Sequence, residues 1–234
     1  MFAIYKRELR SFFATPIGYI FCAIFLAFSA GVFCYSTLYQ MSADTTTYFT
    51  AMLFSLVILI PLLSMKSFSE ERKTRTEQLL LSAPVSLTGM VMAKFLASFT
   101  VFFGCTLLTS LNFIILYTHA EPKTSLILCN LTAFLLVGMA FLAIGIFISA
   151  MTESQLAASV ITVASLLVLL LISMLNSLIT VPWIRFLFSG ISVFSRYQNF
   201  ANGIFDLAAL VYYLSLTAVF LFLTVRVFDR RRYA

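Results

Sequence analysis

Apolar runs of about twenty residues recur along the whole chain, and a helix of that length crosses the hydrocarbon core of a bilayer. Six such runs fall at 17–39, 47–65, 88–117, 125–150, 155–179 and 206–227. Only 10% of the 234 residues are charged and 62% are hydrophobic, whereas a soluble domain carries roughly 25% charged residues. A water-soluble core is therefore excluded. The expected fold class is an all-α membrane protein with six transmembrane helices, forming one domain over residues 1–234. No small-residue cleavage pattern follows the first run, so the N-terminal segment is read as retained.

The basic residues orient this layout. Lys6, Arg7, Arg10, Lys66, Arg72, Lys73, Arg75, Lys94, Arg226, Arg230, Arg231 and Arg232 fall on one side, and only Lys123, Arg185 and Arg196 on the other. The positive-inside rule then places both termini in the cytoplasm. The net charge of +6 is thus a topology signal, and a nucleic-acid partner is not expected. Lys94 and Arg226, near the cytoplasmic ends of their spans, are expected to snorkel toward water.

Before the first span, Ile4, Tyr5, Leu9, Phe12 and Phe13 interleave with Lys6, Arg7 and Arg10 at near-helical spacing. Two readings stand for residues 1–16: an amphipathic helix lying in the membrane interface, or an ordinary basic flank of the span. Pro16 marks the bend between them.

The stretch "SFSEERKTRTEQLLLSAPVS", residues 67–86, is a dense block of charge between two apolar runs. Ser67 followed by Glu70 is a capping-box pattern, and Glu71 with Arg75 and Glu70 with Lys73 have favourable helical spacing. Pro84 disfavours further helix, so a short cytoplasmic helix is expected at about 68–82. Its end carries Leu79, Leu80 and Leu81, which are expected to meet protein or the membrane surface. On these residues alone, a solvated loop helix and a docking helix are equally open.

The outer connection at 180–205 is mixed and Gly-interrupted. Trp183, Phe186, Phe188, Phe194 and Tyr197 suit re-entrant or interfacial helices at headgroup level, either as an outer gate or as a plain aromatic belt. Cys22, Cys34, Cys105 and Cys129 lack paired spacing and read as small hydrophobes. His119 with Glu121 is too little for a metal site, and no nucleophile-base pair is evident, so no metal and no catalytic residue is expected. Gly145 with Ser149, and Ser154 with Ala158, allow close helix approach, within the bundle or between subunits. Pro61 is expected to kink the second span.

Residues 67–97, "SFSEERKTRTEQLLLSAPVSLTGMVMAKFLA", resemble the signature of the ABC-2 type transporter permease family, through Glu70, Glu71, Arg72, Lys73, Arg75, Thr76, Gln78, Leu79, Leu80, Leu81, Pro84 and Ser86, followed by Lys94. The tail at 195–228 is similar to the branch associated with gliding-motility transporters and, more loosely, with copper-enzyme maturation permeases.

The resemblance implies that the charged helix is the coupling helix of a permease subunit, docking into a separate ABC ATPase. Phe68, Glu70, Glu71, Arg72, Lys73, Arg75, Thr76 and Gln78 would form this contact, with Leu79 and Leu80 as its apolar anchor. It further implies two ATPase copies, a second permease subunit (the same chain or a homologue), the cytoplasmic membrane as location, and export as the direction. ATP and Mg would reside on the ATPase, with no cofactor in this chain. The sequence agrees in one respect: it contains no phosphate-binding G-x-x-x-x-G-K-[ST] loop. The competing classes are a non-transporting membrane scaffold that transmits force from an ATPase, and an ATP-independent channel or carrier. The near absence of ionisable groups within the spans speaks against the ion-coupled carrier.

Overall fold

Thr15 adopts an extended conformation ahead of Pro16 and divides the N-terminal region into α1 (Phe2–Ala14) and α2 (Pro16–Phe33). Pro16 at the first position of α2 has no N–H to leave unsatisfied, so the helix starts there without strain. Gly18 lets α1 fold back over the start of α2, because a Cβ at that position would collide with the Phe12 carbonyl. In the computed structural model of the protein, residues 1–41, 44–74, 86–119, 122–178, 190 and 192–233 are described. Among them there is no strand.

The last turns of α2 widen into a π-helical segment, Cys34–Tyr39. Asp44 then accepts hydrogen bonds from the backbone N–H and the hydroxyl of Thr46 at the start of α3 (Thr46–Ser64). A single turn at Met65 leads into α4 (Lys66–Lys73). The third apolar run divides into α5 (Leu87–Thr109) and α6 (Asn112–His119). The hydroxyls of Thr106, Thr109 and Ser110 turn back onto the carbonyls of Phe102, Thr106 and Leu107 just before the break. Side chains that bond carbonyls of their own helix compete with the backbone ladder and favour such breaks. The chain continues through α7 (Thr124–Met151), α8 (Gln155–Leu178), α9 (Val193–Ala201) and α10 (Leu207–Tyr233).

Among the described residues, six helical stretches are long and apolar enough to cross a membrane: Pro16–Tyr39, Thr46–Lys73, Leu87–Thr118, Thr124–Met151, Gln155–Asn176 and Leu207–Arg232. The protein is an all-α, six-span membrane protein. α7 is its centre, packing against α3, α5, α8, α9 and α10. Two thirds of its apolar window is buried (67%), against 17% for α8.

Between apolar helices in lipid, burial brings little hydrophobic gain, so close packing and hydrogen bonds decide which faces meet. Both devices occur along α7. A Cβ on Gly145 would strike the Ser64 side chain on α3, and one on Gly138 the ring of Phe102 on α5. Gly145 therefore serves packing within the bundle. Phe25, Phe102 and Phe134 fill the middle with ring centroids 5.6–6.3 Å apart, the offset and tilted spacing that aromatic rings prefer. Two of the four cysteines that lack paired spacing in the sequence, Cys22 on α2 and Cys105 on α5, meet there, with their sulfurs 3.1 Å apart.

Candidate functional site

The end of the bundle that carries α1, α4, and the C-terminal ends of α7 and α10 gathers most of the charge described. Its local structure begins with α4. The capping box predicted at Ser67 and Glu70 does not form. α4 follows α3 almost without interruption, and Met65 at the junction is itself in the right-handed helical region. Ser67 is consequently inside the helix, with its hydroxyl buried and unbonded. The backbone donors that a cap would satisfy find a partner across the bundle instead: Phe68 N and Ser69 N donate to Ser149 Oγ of α7 at 3.1 and 3.2 Å. The Ser149 hydroxyl in turn donates to the Met65 carbonyl at 3.2 Å. One serine thus closes the α3–α4 junction onto α7.

The expectation that Lys94 snorkels is also corrected. Its side chain is 1% exposed, and its ammonium lies 3.0 Å from Glu71 Oε1, 3.3 Å from Glu8 Oε1 and 2.6 Å from the Ser67 carbonyl. An ammonium has three N–H donors, and all three have acceptors here. The Phe68 ring covers the group at 4.9 Å. Arg7 closes the cluster from α1, donating to Glu8 at 2.7 Å and to Glu71 at 3.0 Å. The Glu8 hydrogen bond, with Glu71 beside it, pushes the Arg7 guanidinium above its ordinary value. Two carboxylates are thereby balanced by two cations contributed from α1, α4 and α5. Charges withdrawn from water persist only with such pairing.

A second set of contacts fastens the same element. Lys66 donates to the Ser11 carbonyl, Ser11 Oγ and Thr15 Oγ1 at 2.9–3.2 Å, and Glu70 reaches back to it at 3.7 Å. Arg72 donates to the Met151 carbonyl at 2.9 Å and pairs with Glu153 at 2.8 Å. Arg231 donates to the Ala150 carbonyl at 2.8 Å. Two arginines from α4 and α10 therefore satisfy the orphan carbonyls at the end of α7, where the helix dipole favours positive charge.

The residues expected to form the ATPase contact thus fall into groups. Phe68 and Glu71 face the bundle, Phe68 with its ring centroid 4.6 Å from that of Phe228. Glu70 and Arg72 are partly exposed, and Lys73 is exposed. Arg75, Thr76, Gln78, Leu79 and Leu80 lie outside the described residues. On α1, Tyr5 shares a hydrogen bond with Thr100 at 3.0 Å and Phe12 is buried, whereas Lys6, Arg10 and Phe13 are exposed. α1 thus turns Tyr5 and Phe12 toward the bundle and Lys6, Arg10 and Phe13 away from it. Glu8 belongs to the site and was not singled out from the sequence; Lys66 and Arg231 were read there only as topology signals, and Ser149 only as a small residue for close helix approach. The signal for a partner was Lys94 itself, a cation two turns into an apolar span.

At the opposite end, α9 packs on α7 and α8. Ser192 caps it by accepting from Ser195 N at 3.3 Å. Phe194 is placed 6.0 Å from both Phe54 and Phe141, and the Tyr197 hydroxyl donates to Asn130 Oδ1 at 2.6 Å. Burial pushes the Tyr197 phenol up, which keeps it a neutral donor. Asn199 and the Ala208 backbone N–H, both at 2.8 Å, hold the Asp206 carboxyl below its ordinary range at the start of α10. The candidate gate residues Trp183, Phe186 and Phe188 lie outside the described residues.

The arrangement at the basic end joins five helices mechanically. Compared with known proteins, residues 35–227 match a family model described as ABC-2 family transporter protein. No curated protein gives a significant match to the chain.

Proposed function

The chain belongs to the ABC-2 family of transporter proteins, and on that premise we propose that it is the permease subunit of an exporter powered by a separate ATPase. The observation that carries this reading is the attachment of α4. Through Ser149, Lys94, Glu8 and Lys66 it is bonded to α7, α5 and α1. A displacement applied at the exposed side of α4 therefore reaches three other helices at once.

In this reading Lys73, Glu70 and Arg72 form the outward part of the ATPase contact, continued by Arg75, Thr76, Gln78, Leu79 and Leu80. Phe68 and Glu71 brace it from behind. A charged rim of this kind steers a partner and sets register, while an apolar centre supplies affinity. Two ATPase copies bind ATP and Mg, and a second permease subunit, the same chain or a homologue, completes the path. The sparse burial of α8 supports such a second subunit. The membrane is the cytoplasmic one, with both termini on the cytoplasmic side, consistent with the basic end. The outer segment with Phe194 and Tyr197 gates the far end of the path.

The test is to purify the tagged chain from its host in mild detergent and identify what stays bound by mass spectrometry. A subunit with a phosphate-binding loop at near one-to-one ratio, whose hydrolysis rises with cargo, is the expected result. Repeated recovery without an ATPase overturns the proposal; an ATPase indifferent to every cargo points to the force-transmitting scaffold.

A further inference from the structure

A groove of about 640 Å³ lies on the flank of the bundle, bounded by α5, α7 and α10. Its floor is Phe95 and Leu221, both buried, and its rims are Met92, Leu214 and Phe222, all exposed. Arg226, Asp229 and Arg232 stand at one end. The walls are otherwise almost wholly apolar, and they face the bilayer.

Dimensions and charge together select the occupant. From Leu214 to Arg226 the groove follows α10 for about 18 Å at roughly 1.5 Å per residue. Half the hydrocarbon thickness of a bilayer is about 15 Å. The apolar part therefore runs from near the midplane to one interface, the depth of a single leaflet, with its arginines at headgroup level. Arg226 is exposed and lies 5.1 Å over the Phe222 ring, with Asp229 at 3.4 Å. Two arginines against one aspartate leave the mouth with an excess of positive charge.

We propose that this groove binds one anionic diacyl phospholipid of the leaflet at the basic end. One acyl chain lies along Phe95 and Leu221, and the phosphate pairs with Arg226 and Arg232. A second protein chain fits the site less well, because an apolar helix laid over the mouth would take the Arg226–Asp229 pair and Arg232 out of water without supplying an anion. A phospholipid brings its own anion to the right depth. The site is separate from the α4 attachment and does not depend on the transport reading.

The experiment uses the full chain with whatever subunits stay bound, delipidated in mild detergent and titrated with phosphatidylglycerol or phosphatidylcholine of identical acyl chains. Native mass spectrometry reads the bound lipid. One tightly retained phosphatidylglycerol is expected, favoured over phosphatidylcholine by about fivefold for each arginine at the surface. Arg226→Gln with Arg232→Gln should bring the two lipids to equal binding, and Ala218→Trp, which fills the shaft, should lose both. The arginine pair lies at the mouth, so its removal tests the site even where the tryptophan variant fails to fold. Equal binding of the two lipids to the parent chain, or an unchanged preference in the double arginine variant, overturns the proposal. So does efficient cross-linking between two copies through Leu214→Cys, which would mean that a second chain covers the groove.

Discussion

Lys94 Nζ lies 3.0 Å from Glu71 Oε1, joining two helices that flank the charged loop at a point where the lysine side chain is 1% exposed. The pair has a structural consequence beyond its own energy. Glu8 and Arg7, which complete the four-residue cluster around this pair, sit on α1, so the N-terminal helix is held to the same point. α1 is thereby part of the device that fixes α4.

Removing Lys94 alone should cost about 3–5 kcal/mol, because a buried ion network loses one partner while the opposing carboxylates remain. Thermal unfolding of the detergent-solubilised chain should show Lys94→Met as the least stable variant. Glu71→Gln combined with Lys94→Met should recover part of the loss. A double variant no more stable than Lys94→Met would show that the two side chains are not coupled.

The elements of this network differ in how legible they are. The six spans could be read directly, since each apolar run satisfies its own backbone as a helix regardless of its neighbours. Which faces meet could not, because α7 is apolar all round and gives no periodicity to follow. Lys94 is expected from the sequence to snorkel toward water, and nothing local says that it is instead buried between Glu71 on one side and Glu8 on the other. The capping-box pattern at Ser67 misled for a related reason. A local motif predicts a helix start, whereas continuity from α3 and the distant Ser149 settle the matter through tertiary contacts. The π-helical end of α2 and the break before α6 likewise leave no strong mark in a run of apolar residues.

Gly145→Ala should destabilise the bundle, and Gly104→Ala should not. The added methyl at Gly145 meets the Ser64 side chain and the Thr162 methyl, while nothing lies within 4 Å at Gly104. Overpacking of this sort costs about 1–3 kcal/mol. Paired melting curves decide the point: equal midpoints for the two variants would contradict the close approach of α3 and α7.

Cys22 and Cys105 should cross-link within one chain. Their sulfurs are 3.1 Å apart, and all four cysteines are free thiols. A membrane-permeant oxidant such as iodine accepts the two electrons as the thiols lose two protons and form the bond. Peptide mapping should recover the 22–105 linkage, with Cys34 and Cys129 unlinked. Failure to form it while Cys34 and Cys129 become oxidised would place α2 and α5 further apart than the packing here requires.

Tyr197→Phe should loosen α9 from α7. The substitution leaves Asn130 Oδ1 buried without the donor that now lies 2.6 Å away, at a cost of about 1–3 kcal/mol for an unsatisfied acceptor. Changing both partners, Tyr197→Phe with Asn130→Leu, should cost less than the single change, since no acceptor is then stranded. Hydrogen exchange over residues 193–201 reads the effect directly. The sign of the pH dependence follows from burial, which raises the phenol above its ordinary value. The contribution is fully present below about pH 10, the ordinary tyrosine value, and fades as pH rises from there toward the raised one. Exchange at α9 should therefore be insensitive to pH-driven opening near neutrality and accelerate only in strong alkali, and the Phe variant should lack that alkaline step. Protection unchanged in Tyr197→Phe would mean that Phe194 and Phe200 hold α9 without the hydrogen bond.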